Sequence, residues 1–133
     1  MRLAMLREVD PHDPITVDAE AIADWLRPRL DSPHFAAFVA EVDGEVVATG
    51  AVSVYDVPPG PGPAHREAYV MSMYTRPSHR GRGIARAVLD ALVAFASDTG
   101  TVGRVWLRAS DAGRPVYVGA DFEPRDYYLQ RYL

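Results

Sequence analysis

The chain has 133 residues, a formal net charge of −4, 48% hydrophobic and 24% charged residues, the size and balance of one globular domain with its own core. No apolar run approaches the ~18–20 residues of a membrane span, and an acidic balance argues against phosphate-backbone contact; neither a membrane nor a nucleic-acid partner is expected. All 14 basic residues are arginine, and both lysine and cysteine are absent, which excludes disulfides, thiolate nucleophiles, cysteine metal sites, Schiff-base amines and a Walker lysine. The opening Met1-Arg2-Leu3-Ala4-Met5-Leu6-Arg7-Glu8 is too short and too charged for a secretory signal, so a cytoplasmic location is expected.

In chain order, Leu3 to Glu8 suit a short helical turn, broken by Asp10-Pro11-His12-Asp13-Pro14. Asp18 suits the N-cap of a helix over 18–30, with Ile22, Trp25, Leu26 and Leu30 on one face and Pro28 expected to kink or end it early. Phe38 to Val42 and Glu45 to Tyr55 read as strands joined by Asp43-Gly44, a strong hairpin signal. Val57-Pro58-Pro59-Gly60-Pro61-Gly62-Pro63 lacks too many amide donors for helix or ladder and is a surface loop.

Glu67 to Thr75, largely apolar, is a third and central strand. After the loop Arg76 to Gly83 comes the clearest helix, Ile84 to Ser97, with Ile84, Val88, Ala91, Leu92 and Phe95 at helical spacing and Thr99-Gly100 ending it. Val102 to Arg108 is a fourth strand, and strand–helix–strand predicts a parallel crossover. A short helix around Gly113 to Val118 and a strand near Tyr127 to Leu133 close the chain, which has no internal repeat.

The sharpest feature is the passage from the strand ending at Thr75 through Arg80-Gly81-Arg82-Gly83-Ile84-Ala85 into the strong helix. Glycines admit close backbone approach, a helix N-terminus leaves N–H donors unpaired, and its dipole favours an anion. Arg80 and Arg82 would add charge-assisted hydrogen bonds. On its residues alone the segment is equally a plain turn or a solvated basic loop; it has neither Walker nor dinucleotide-fold spacing.

In these residues the chain resembles the GNAT superfamily of N-acetyltransferases, whose acetyl-CoA motif is Arg/Gln-x-x-Gly-x-Gly/Ala between a strand and a helix; Arg80, Gly83 and Ala85 fill its fixed positions. The resemblance runs from about Phe38 to the C-terminus, through the Asp-Gly hairpin, Arg76-Pro77, Ala109-Ser110-Asp111-Ala112-Gly113-Arg114-Pro115-Val116-Tyr117 and Phe122-Glu123-Pro124. It implies an α/β domain over 1–133 with a mixed, mostly antiparallel central sheet flanked by helices, splayed at a cofactor cleft. It implies acetyl-CoA as cosubstrate and acetyl transfer to a primary amine, small molecule or peptide. Met73, Tyr74 and Thr75 would offer main chain to the pantetheine arm. Arg80, Gly81, Arg82, Gly83, Ile84 and Ala85 would cradle the pyrophosphate. Tyr117 stands where the family places a tyrosine near the CoA sulfur, and Ser110 where many members carry asparagine. A non-catalytic acyl-CoA sensor is the alternative.

The implied chemistry is attack of a deprotonated amine on the thioester, with the oxyanion held by a backbone N–H near Met73 and the thiolate protonated by Tyr117. Without the resemblance, Tyr117 reads as a core aromatic of a short helix. Glu67 is the first candidate base, with Glu41 and Asp56 beside it and Ser72 a weaker polar candidate; each also reads as an ordinary solvated group. The four histidines, His12, His34, His65 and His79, show no paired ligand spacing, and no metal is expected. Tyr55 and the proline loop are candidates for the rim of an acceptor pocket, while Tyr69, Tyr74, Tyr127 and Tyr128 read as core or sheet-face aromatics. Two features depart from the family. The N-terminus is short, so the first strand is expected to be missing or reduced to Arg2 to Leu6, leaving an open sheet edge and a possible homodimer. Ala120-Asp121 replaces the usual glycine before Phe122. Because cysteine is absent, transfer is expected to be direct within a ternary complex.

Overall fold

A computed structural model of the chain describes residues 1–9, 16, 18–126 and 128–133. The expected breaker Asp10 to Pro14, with His12, and Tyr127 lie outside the described residues. Helices α1 (Arg2–Val9) and α2 (Ala19–Leu30) precede strands β1 (Phe35–Val42), β2 (Glu45–Asp56) and β3 (Arg66–Thr75); a 3-10 turn (Pro77–His79), α3 (Ile84–Asp98), β4 (Val102–Trp106) and α4 (Arg114–Gly119) follow. The strands form one sheet in the order β1-β2-β3-β4. The first two neighbour pairs are antiparallel and β3–β4 is parallel, the mixed, mostly antiparallel sheet that was expected.

Local chemistry accounts for the elements. The Asp18 carboxylate accepts from Ala21 N at 2.8 Å and caps α2. Pro28 does not end that helix early: it removes one i→i−4 hydrogen bond in the last turn, and the helix runs only two residues further, to Leu30. At the hairpin Asp43 and Gly44 both have positive φ, 52° and 81°, as a two-residue turn matched to strand twist requires. The proline-rich segment 57–63 is an exposed loop between β2 and β3, closed at its base where Val57 N donates to His65 O at 3.0 Å.

One sheet face builds the core. Ala48, Val52 and Val54 of β2 and Ala68 and Val70 of β3 pack against Val88, Leu89, Leu92 and Ala96 of α3, all buried, from the alternation of the strands and the 3.6-residue repeat of the helix. Closest approach is at Gly50, where a β-carbon would fall 2.5 Å from Met73 Sδ and 2.9 Å from both Leu92 Cδ1 and Val88 Cγ1. On the other face α2 lies over β1, with Trp25 edge-on to Phe35 at 5.8 Å between ring centroids, and α1 lies against β3.

The ends depart from expectation. Arg2 to Leu6 are helical, so no strand precedes β1 among the described residues and its outer edge has no ladder partner there. Strand β4 stops at Trp106, two residues early. The expected closing strand is not formed by residues 128–133; Leu129 and Tyr132 are 94% and 88% exposed, and without a neighbouring strand their β-propensity has no ladder to join.

Candidate active site

The site begins with a fault in the β2–β3 ladder. Thr49 faces Tyr74 and Ala51 faces Met71, so Gly50 alone stands against Ser72 and Met73, a β-bulge in β3. Ser72 takes φ of 58°, a left-handed conformation uncommon for a residue with a side chain. A bulge bends its strand and releases peptide groups from the ladder, here just before the strand end that was expected to meet a ligand through its backbone.

A second irregularity opens the space beside it. Strands β3 and β4 pair only over Arg66–Tyr69 and Val102–Trp106; beyond Tyr69 and Trp106 they are no longer bonded. The gap is a cleft of about 430 Å³. One wall is Met73, Tyr74 and Thr75 from the end of β3. A second is Arg80, Gly81 and Gly83 from the loop with Ile84 and Ala85 from the first turn of α3. The third is Ser110 and Tyr117, beyond β4. Ten of the residues singled out by sequence thus share one cavity.

The loop suits an anion. Gly81 and Gly83 have φ of 74° and 77° with nothing within 4 Å of where a β-carbon would be, so glycine serves the turn and not a close contact. Gly83 is the N-cap of α3, with no side-chain cap, leaving the first-turn amides of a 15-residue helix at the cleft. Arg82 is exposed, outside the lining, and makes no hydrogen bond or ion pair among the described residues.

Arg80 differs from expectation. Its Nε donates to Thr75 O at 2.9 Å, and Nη1 and Nη2 meet the two carboxylate oxygens of Glu8 at 2.7 and 2.8 Å. The fork ties the loop to the end of β3 and to α1, with the Tyr74 ring 5.6 Å from its centre. The hydrogen bond from Arg80 holds the Glu8 carboxyl below its ordinary range, against a small opposing effect of burial. Glu8 and Met5 also line the cleft; sequence reasoning missed both, although Arg2, Met5 and Glu8 recur at every third position, a spacing that keeps them near one side of a helix.

Tyr117 packs its ring edge-on to Phe122 at 6.2 Å between centroids, and its hydroxyl has no hydrogen-bond partner among the described residues. Burial raises its phenol pKa, so it is a neutral proton donor at neutral pH. Its placement depends on the turn before α4: Ser110 Oγ accepts from Gly113 N at 3.2 Å, and a β-carbon at Gly113 would lie 3.1 Å from Tyr117 Cε2. Ser110 thus shapes the turn that presents Tyr117.

Glu67, expected as the first candidate base, is not among the residues that line this cleft. Its Oε1 and Oε2 face Arg104 Nη2 at 2.8 and 2.9 Å, and Tyr55 donates to Oε2 at 2.9 Å. The Arg104 hydrogen bond lowers its pKa, with burial opposing. Tyr55 itself accepts from Trp106 Nε1 at 2.5 Å, which makes it part of this cluster beneath the splay. Asp56 pairs with Arg66 at 2.9 Å, Glu41 is exposed on β1, and Ser72 Oγ accepts from Arg2 at 2.6 Å. His79 reaches the cleft wall. Among the described residues no three His, Asp or Glu side chains gather as metal ligands would, and no helix is long and apolar enough to cross a membrane.

Comparison with known proteins places the chain in a family. A family model described as the acetyltransferase (GNAT) family matches residues 3–119. The chain is similar to a predicted acetyltransferase from Clostridium acetobutylicum whose crystal structure contains acetyl-CoA, at 30% identity and a TM-score of 0.86 over 98% of this chain and 84% of that one. It is similar also to a GCN5-related N-acetyltransferase from Ralstonia eutropha, at 28% identity and a TM-score of 0.79 over 99% of this chain and 87% of that one. Among curated proteins it is 32% identical to N-acetyltransferase 8 of Rattus norvegicus over 80 residues, 59% of this chain but 34% of that protein, so the match spans about a third of that relative's length.

Proposed function

We propose, for a chain that belongs to the acetyltransferase (GNAT) family, that the cleft binds acetyl-CoA and transfers its acetyl group to a primary amine by direct attack within a ternary complex. The observation that carries this reading is the meeting in one cavity of a glycine turn at a helix N-terminus, a strand end freed by a bulge, and a tyrosine whose phenol stays protonated. The acetyl-CoA in the Clostridium relative supports it.

Each wall has a role. Backbone amides from Gly81 to Ala85 hold the pyrophosphate, where aligned N–H donors meet an anion. Arg82, without a hydrogen bond or ion pair among the described residues, adds charge at the mouth, while Arg80, which fixes the loop to Thr75 and α1, brings a second guanidinium to the anion. Acetyl-CoA supplies the activated acyl group. Main-chain groups of Met73, Tyr74 and Thr75 align the arm that carries it, and an N–H near Met73 faces the oxygen on which negative charge develops. Tyr117 gives its phenolic proton to the departing sulfur. With Glu67 paired to Arg104, the acceptor reacts as the free base present in solution, and its surplus proton leaves to water. The acceptor is a small molecule or peptide amine.

The test is thermal stabilisation by acetyl-CoA, followed by a panel of primary amines scored for release of free CoA. Stabilisation with turnover on at least one amine is expected. Tight CoA binding with no turnover across the panel would point to an acyl-CoA sensor, and no stabilisation would refute the reading.

A further inference from the structure

We infer that α1 carries a built-in competitor for the cofactor's anion: the Glu8 carboxylate and the pyrophosphate contend for the same Arg80 guanidinium, and binding exchanges one anion for the other. The inference rests on the acetyl-CoA reading above and concerns what tunes that site.

Three observations converge on it. First, α1 is laid along the cofactor strand, with Arg2 Nη1 on Ser72 Oγ at 2.6 Å at one end, and Met5 and Glu8 in the cleft wall further along. Second, both Glu8 oxygens are taken up by the two terminal nitrogens of Arg80, at 2.7 and 2.8 Å, the fork geometry that a phosphate would equally demand. Third, Glu8 lies in the last turn of α1, where the helix dipole disfavours negative charge. Its partner Arg80, and not its own helix, accounts for its place.

The exchange is easy in the forward direction. The two side chains are 43% and 46% exposed, and ion pairs so open to water are weak. A pyrophosphate brings more charge than one carboxylate and also collects the amides at the start of α3, so it wins the arginine. Glu8 then repels the bound anion, loosens the cofactor and hastens release of the CoA product. A thioester without a diphosphate meets no such competition.

The test is calorimetric titration of CoA into the parent protein, Glu8→Gln, Glu8→Ala, Arg80→Gln and the Glu8→Gln/Arg80→Gln double variant at low salt, with melting curves for each. Removing the carboxylate is expected to tighten CoA binding about two- to fivefold, the scale of one exposed charge interaction, and to slow CoA dissociation. The gain should vanish in the Arg80→Gln background, and S-acetylpantetheine, which has no diphosphate, should bind the parent and Glu8→Gln alike. A merely structural strut would instead leave CoA affinity unchanged or lower it in both Glu8 variants, and that result overturns the exchange. A parent protein that does not bind CoA overturns the functional reading as well; a parent that binds, with indifferent Glu8 variants, overturns the exchange alone.

Discussion

Replacing Gly50 by alanine tests whether packing behind the bulge sets the position of the cofactor strand. The added methyl would fall 2.5 Å from Met73 Sδ and 2.9 Å from Leu92 Cδ1 and Val88 Cγ1, where real β-carbon contacts essentially never fall below 3.0 Å. Leu92 and Val88 are core residues, 0% and 4% exposed, with no room to withdraw. Met73 is the flexible partner, and it yields by moving the strand end that lines the cleft. Overpacking of this kind costs about 1–3 kcal/mol, and at roughly 3–5 °C per kcal/mol for a domain of this size the melting temperature falls by about 3–15 °C. CoA affinity should fall with it, because Met73 belongs to the binding wall. The assays are thermal melts followed by circular dichroism and CoA calorimetry, with Gly60→Ala as control, since nothing lies within 4 Å of a β-carbon there. A Gly50→Ala protein that melts and binds CoA like the parent would refute the argument that this approach holds the bulge in place.

Tyr117→Phe should keep CoA affinity and lose about 100-fold or more in turnover, the usual scale of a general acid; unchanged turnover removes that role. Because burial raises the Tyr117 pKa above its ordinary 10.0, the proton-bearing form persists through pH 9. Turnover should therefore climb with the free-base fraction of the amine, and a decline between pH 7 and 9 would contradict the assignment. Glu67→Gln should retain turnover and lose about 0.5–1 kcal/mol of stability at pH 7, a figure reduced for the half-exposed Arg104 partner. Since the Glu67 pKa is lowered on folding from 4.5, its contribution is complete above that value and lost as pH falls through the lower folded one, so parent and variant should converge in acid. Loss of turnover in a variant that melts normally would restore Glu67 as a base. Gly83→Ala forces a side chain into φ of 77° without a clash; about 1–2 kcal/mol of strain should lower the melting temperature and weaken CoA binding together.

The fold was most legible where one residue type answers one geometric demand. Asp43-Gly44 announced a turn with two positive φ values, Asp18 a helix cap, and the apolar repeat of Ile84 to Ser97 the face of α3 that meets the sheet. Boundaries set by tertiary structure were not legible. Apolar character carried β4 past Trp106 to Arg108 in the sequence, but the strands separate beyond Tyr69 and Trp106, and no local signal encodes a parting. Tyr128 to Leu133 fail for the same reason in reverse: their tyrosines suit a strand, yet a strand exists only where a neighbour offers its backbone.

In the site, glycine positions were readable and arginine roles were not. Gly81 and Gly83 were expected for close backbone approach and are found in left-handed turn angles instead, but they stand in the cleft wall between the strand end and α3 that the motif joins. A guanidinium on a long flexible stem answers to whatever carboxylate the fold brings near it. Arg80 was therefore expected on phosphate and is found on Glu8, a residue 72 positions away, while Arg104 claims Glu67 across the sheet. In a chain whose cations are all arginine, each such pairing is a contact that the proposed chemistry must share or break. The ion pairs that the sequence could not show set what the proposed mechanism must break first: Arg80 is held by Glu8, whereas the amides at the start of α3, Arg82 and the phenol of Tyr117 carry no such pairing among the described residues.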